Sequence, residues 1–191
     1  GDAVFEIRQN PPFAIRLPYR EAFSSGVPPA PIWMLDKHDR HDDQGEQVDG
    51  TRWFLDDQSD RHLKISVEAS GPAGGKALLI ESNHADPRQW ATQVELPEIE
   101  VEDHAKYVLS LSLRAEVPGS VWLSFSQRSE PYHDCGLSSA VAVTNSWSEF
   151  RVPFWVSGTK CGASNNRLAI QTGNISGKLW MANVTLERAA D

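Results

Sequence analysis

Hydrophobic and polar residues alternate most regularly between Lys106 and Gln127, in the run KYVLSLSLRAEVPGSVWLSFSQ. Successive side chains of an extended chain leave on opposite faces. Tyr107, Leu109, Leu111, Leu113 and Ala115 therefore share one face, and Val108, Ser110, Ser112 and Arg114 share the other. After Pro118-Gly119-Ser120 the rule resumes, with Val121, Leu123 and Phe125 alternating with Trp122, Ser124, Ser126 and Arg128. The pattern predicts two strands paired through that turn. One face is a core; the other is a floor of hydroxyls edged by a tryptophan and two arginines.

Shorter runs of strand character recur along the chain: VFEIR (4–8), FAIRL (13–17), TRWFLDD (51–57), HLKISVEA (62–69), KALLIES (76–82) and QWATQVELP (89–97). SAVAVT (139–144), SEFRVPFWV (148–156), RLAIQTG (167–173) and KLWMANVTLER (178–188) complete the series. The runs 51–57 and 62–69 read as a hairpin around Asp57–Asp60. Residues 17–35 mix aromatic and apolar positions with Gly26 and four prolines, which forbid a helix and fit an irregular edge crossing. Residues 36–50, DKHDRHDDQGEQVDG, carry no apolar periodicity and read as a long surface loop. Many strands with Gly, Pro and Asn turns, and no helical period, predict an all-β fold: two antiparallel sheets in a sandwich or a barrel.

Composition narrows the function. At 191 residues with no internal repeat or dividing linker, the chain reads as one domain over 1–191. A formal charge of −8 argues against nucleic acid, whose phosphates such a surface would repel. The mean hydropathy of −0.43 and the lack of a long apolar run argue against a membrane span. The start at Gly1 with no visible leader reads as a processed or cut form. Cys135 and Cys161 lie in loop-like surroundings. They form a disulfide tying two loops if the protein is exported, or two free thiols if it is cytosolic.

The order of signals from Gly75 to Arg188 resembles the carbohydrate-binding modules found beside xylanases and other glycan-degrading domains. These are β-jelly rolls of the galactose-binding-like kind. The resemblance rests on Gly75–Ile80, Trp90 with Gln93, Tyr107–Ala115, Val121–Gln127, Trp147–Phe150, Arg167–Gly173 and Gly177–Leu186. It covers the last two-thirds of the chain well and residues 1–64, with their polar loop, loosely. The resemblance implies a single jelly-roll sandwich and non-catalytic polysaccharide binding in a secreted, periplasmic or extracellular setting. It also implies a monomer attached to, or working beside, a glycan-active enzyme. Many such modules carry an Asp at the position Ala182 holds, where it helps bind a structural calcium. Glu6 could supply the matching carboxylate, but Ala182 offers no oxygen, so no calcium or other cofactor is expected.

Saccharide recognition needs an aromatic plane for the C–H face of a sugar and planar polar groups for its hydroxyls. Trp90, Trp122 and Tyr132 are the candidate platforms, and Arg114, Gln127, Arg167 and Gln171 the long planar partners. By the resemblance, Trp90, Gln93 and the strand of Arg167 and Gln171 line the glycan cleft. Two arginines on one face would tolerate an acidic sugar. Trp53, Trp147 and Trp180 read as core, and Arg114 and Arg167 could instead pair with Glu95 or Glu116.

Alternatives from other classes stand beside this. A glycosidase would need two carboxylates across a cleft, from among Asp56, Asp57, Glu95 and Glu130, though no spacing nominates a pair. A polysaccharide lyase could draw on the run from Gln127 to His133, which holds Arg, Tyr and His together. A purely structural sandwich would use the same face against a protein partner. The His/Asp loop 38–43 lacks the spacing of a helical metal site.

Overall fold

The computed structural model describes residues 14–31, 52–59, 61–157 and 161–190. Glu6, the run VFEIR and the loop 36–50 lie outside the described residues. Among the described residues twelve strands form two sheets: β1 (Tyr19–Glu21), β2 (Ala30–Pro31), β3 (Phe54–Asp57), β4 (Lys64–Glu68), β5 (Ala77–Ser82), β6 (Thr92–Pro97), β7 (Lys106–Ala115), β8 (Gly119–Gln127), β9 (Asp134–Val143), β10 (Ser148–Trp155), β11 (Asn166–Gln171) and β12 (Gly177–Arg188). The first sheet runs β10-β7-β12-β5-β4, with β1 also paired to β12; the second runs β2-β3-β6-β11-β8-β9. All pairings are antiparallel except β2 with β3.

The alternation decides which side chains fill the space between the sheets. Leu109, Leu111 and Leu113 of β7 meet Val121, Leu123 and Phe125 of β8, Leu168 and Ile170 of β11, and Val94 and Leu96 of β6, all fully buried or nearly so. Each such side chain contributes about 1.5–3 kcal/mol through burial. Trp53 lies in this core with its ring 6.5 Å from that of Tyr19. Burial and the neighbouring Glu21 push the Tyr19 phenol well above its ordinary range.

The structure corrects two pairings. The β7 and β8 strands are adjacent in sequence yet belong to opposite sheets. The link through Glu116, Val117 and Pro118 crosses the sandwich instead of closing a hairpin. The serines of β7 and those of β8 therefore floor opposite outer surfaces. Likewise β3 and β4, read as a hairpin, sit in different sheets. Alternation fixes which face of a strand is apolar, but a core lies behind both sheets, so the pattern cannot say which sheet a strand joins.

Outside the core, on the first sheet, Ala77, Leu79, Trp180 and Ala182 form a second buried cluster with Trp147 packed against it. Trp180 and Trp147, expected in the main core, instead lie on this outer surface. The Trp180 indole donates to Glu68 at 3.3 Å. Ala182 is enclosed here.

The Cys135–Cys161 disulfide joins the start of β9 to the segment before β11. Beside it the buried Asn166 side chain donates to the carbonyls of Ile99 (2.7 Å) and Cys161 (2.9 Å) and accepts from the Ile99 amide (2.8 Å). These bonds fasten the crossing after β6 to the base of β11.

Candidate functional site

The outer surface of the second sheet carries a groove of about 670 Å³. The register of its strands explains its shape. One row across the sheet reads Asp56, Gln93, Gln171, Trp122. The next reads Phe54, Glu95, Ala169, Ser124, Ser138, and a third brings Arg167 beside Ser126 and Asp134. The short side chains of Ala169, Ser124 and Ser138 in the middle row leave a trough, flanked by Gln93, Gln171 and Trp122 on one side and Arg167 on the other.

Two loops raise the rim. The segment before β6 makes a 3-10 turn over Gln89–Ala91 and places Trp90 at the groove, 41% exposed. The loop between β8 and β9 brings Glu130 and Tyr132, the latter 50% exposed. Arg88 lies over the Trp90 ring at 5.2 Å, and Asp86 holds Arg88 in place. The Asp86 carboxylate accepts from the Arg88 amide at 2.8 Å and from its guanidinium at 3.0 and 2.9 Å. These bonds hold the Asp86 carboxyl down to about 2. A carboxylate depressed in the folded state contributes stability that is complete above the ordinary range, near 4, and is lost as pH falls through the depressed value. Acid titration from about pH 4 to pH 2 should therefore release Arg88 and shift Trp90 emission. Asp86→Asn should lack that step; an identical step in the variant would refute the assignment.

Arg167 lies on the opposite flank. It is ion-paired with Glu95, and its guanidinium sits 5.3 Å from the centre of the Tyr132 ring. Its Nε is buried without a partner among the described residues. Gln171 donates to the Gln93 side chain at 3.4 Å, aligning two amides along the trough.

The structure thus brings together Trp90, Gln93, Trp122, Tyr132, Arg167 and Gln171 around one groove. Two expectations need correction. Arg114 lies on the outer surface of the first sheet, stacked 4.2 Å over Trp180, because β7 belongs to that sheet. Gln127 falls on the core side of β8, two positions beyond Phe125, and is 3% exposed. Asp56, Gln58, Gln89, Asp134 and Ser138 line the groove as well and were not expected there as ligand contacts. Asp56 and Ser138 each alternate with a core leucine, so parity already turned them outward. Their place at the groove depended on sheet partners that the pattern does not supply.

Comparison with known proteins finds no matching family model and no matching curated protein. Solved structures do match. The fold is the two-sheet β-jelly roll of carbohydrate-binding modules, shared at low sequence identity. A module designated CBM4 aligns with a TM-score of 0.61 at 15% identity, over 72% of this chain and 86% of its own. The CBM22-1 xylan-binding domain from Paenibacillus barcinonensis gives 0.57 at 13% identity, over 90% and 95%. The N-terminal cellulose-binding domain of Cellulomonas fimi β-1,4-glucanase C gives 0.53 at 18%, over 73% and 90%.

Proposed function

We propose that the chain is a non-catalytic, monomeric module that binds an oligo- or polysaccharide in this groove, attached to or beside a glycan-active enzyme. The observation that carries the reading is the trough across β3, β6, β11, β8 and β9. Exposed Trp90 and Tyr132 stand at its rim and paired amides run along it. Rings of this kind present apolar planes to the C–H faces of sugars, while amides and serines match hydroxyls. The folds of the xylan-binding and cellulose-binding domains add support. The disulfide supports an oxidising, extracytoplasmic setting.

Titration of intrinsic tryptophan fluorescence with neutral and acidic oligosaccharides tests this. We expect saturable binding, weakened roughly tenfold or more in Trp90→Ala, since losing one stacked ring removes about 1.5–3 kcal/mol. The saccharide should be recovered intact, without the unsaturated uronic product a lyase would release. Flat titrations across the panel would shift the groove to a protein partner.

A further inference from the structure

We propose that the groove sorts saccharides by charge, taking protonated amino-sugar chains ahead of neutral ones and excluding uronates. This rests on the groove being the saccharide site. The reason lies in how its charges are compensated. Three carboxylates line it: Asp56 on β3 at one side of the trough, Asp134 on β9 at the other, and Glu130 on the rim loop. None of the three is ion-paired among the described residues. The nearest partner of Asp56 is the neutral Gln58 amide, at 3.4 and 3.5 Å. Asp134 accepts from the backbone amide of Gly136 at 2.7 Å.

The cations nearby are already matched. Arg167, the guanidinium among the lining residues, is bonded to Glu95. Arg88, beside Trp90, is bonded to Asp86 at 2.9 Å. Arg128, one residue past the end of β8, is paired with Glu98 at 2.8 Å, and both side chains are buried. The second arginine that would have welcomed an acidic sugar, Arg114, lies across the sandwich on the other sheet. The field along the trough is therefore that of its carboxylates. A carboxylated sugar entering it meets like charges at both sides, with no free guanidinium to answer them. A protonated 2-amino group meets opposite charge wherever it lands.

Glu130 and Asp134 are exposed and contribute modestly; Asp56 lines the groove from a largely buried position on β3, 9% exposed. Together they should separate charged from neutral ligands on the order of tenfold at low salt. The probes are the β-1,4-linked glucosamine tetramer, its N-acetylated counterpart and tetragalacturonic acid. Calorimetric titrations are run at about pH 6, where the sugar amine is largely protonated, in low and in high salt. We expect the glucosamine tetramer to bind about tenfold tighter than the acetylated one, with the ratio shrinking in high salt. Tetragalacturonic acid should bind weakest. The combined variant Asp56→Asn, Glu130→Gln and Asp134→Asn, its fold checked by thermal melting, should bring the ratio to about one. It keeps an acceptor for the Gly136 amide.

Equal affinity for the two tetramers, tetragalacturonic acid binding as tightly as the acetylated one, or a ratio that survives in the variant would each overturn the charge sorting. The saccharide site itself would stand in those cases. Silence from all three probes would overturn the sorting, and the saccharide reading would fall with it only if the wider panel of neutral oligosaccharides is silent too.

Discussion

Arg61→Met should cost about 3–5 kcal/mol of stability and release the loop that carries Trp90. Arg61 is 1% exposed and lies just before β4. Its guanidinium donates to the carbonyls of Ile175 (2.8 Å), Gly173 (3.0 Å) and His84 (3.2 Å), and to the hydroxyls of Thr92 (2.5 Å) and Ser59 (3.3 Å). Burial lowers its affinity for a proton, and the carboxylates of Asp57 and Asp86 offset this by favouring the charged form. Methionine fills similar volume but donates nothing, so each of these acceptors loses a hydrogen bond in a dry space, while the Gly173 and Ile175 carbonyls keep a second donor, the Asp86 amide and the Ser82 hydroxyl.

The consequence reaches the groove through the backbone. Asp86 donates its amide to the Gly173 carbonyl at 2.8 Å, and the Gly173 amide donates to Gln89 at 2.9 Å. The carbonyl that Arg61 grips is thus the one that anchors the Trp90 loop. Arg61→Lys should recover little, because an ammonium cannot fan out to five acceptors as the planar fork does. Urea unfolding measures the loss, and Trp90 emission and saccharide affinity measure the loop. A cost under about 1 kcal/mol would show these bonds to be replaceable by water.

Gly136→Ala should be comparably severe, lowering the melting temperature by roughly 6–16 °C for a loss of about 3–4 kcal/mol. Gly136 adopts φ +121°, a conformation L side chains rarely take, and an added Cβ would sit 1.8 Å from the Trp155 carbonyl oxygen. Neither atom can easily retreat. The Ser157 amide donates to the Cys135 carbonyl at 3.0 Å, and the disulfide fixes Cys135 from the other side. Strain and overpacking each contribute about 1–3 kcal/mol. Gly162→Ala is the control: an added methyl there meets nothing within 4 Å, and its φ is ordinary. Equal melting of the two variants would show that β9 and β10 can part at this point without loss.

Most strands were legible in the sequence because period-two alternation is a local property. The inward set of β7 from Tyr107 to Ala115 is buried as the pattern predicts. Sheet membership was not legible. The β7–β8 and β3–β4 links look like hairpin turns, yet they cross the sandwich, and only contacts far apart in sequence decide this. That one ambiguity put Arg114 on the wrong surface. Gln127 failed differently, since its parity with Phe125 already turned it inward. Arg61 showed no signal, being a charged residue in a polar run whose acceptors, Ser59 apart, come from distant segments.

The sheet order also dictates when the fold can close. The last strand, β12, lies in the middle of the first sheet between β7 and β5, and it pairs with β1 near the start of the described chain. As the chain emerges from its N-terminal end, that sheet stays split down its centre until residues 177–188 arrive. Native pairing of its two halves must then await those residues. Before that moment Leu78, Ile80, Leu109 and Leu111 lack the strand that joins their halves, and the chain is at its stickiest. Slow, late closure is the kinetic signature such long-range strand pairing leaves.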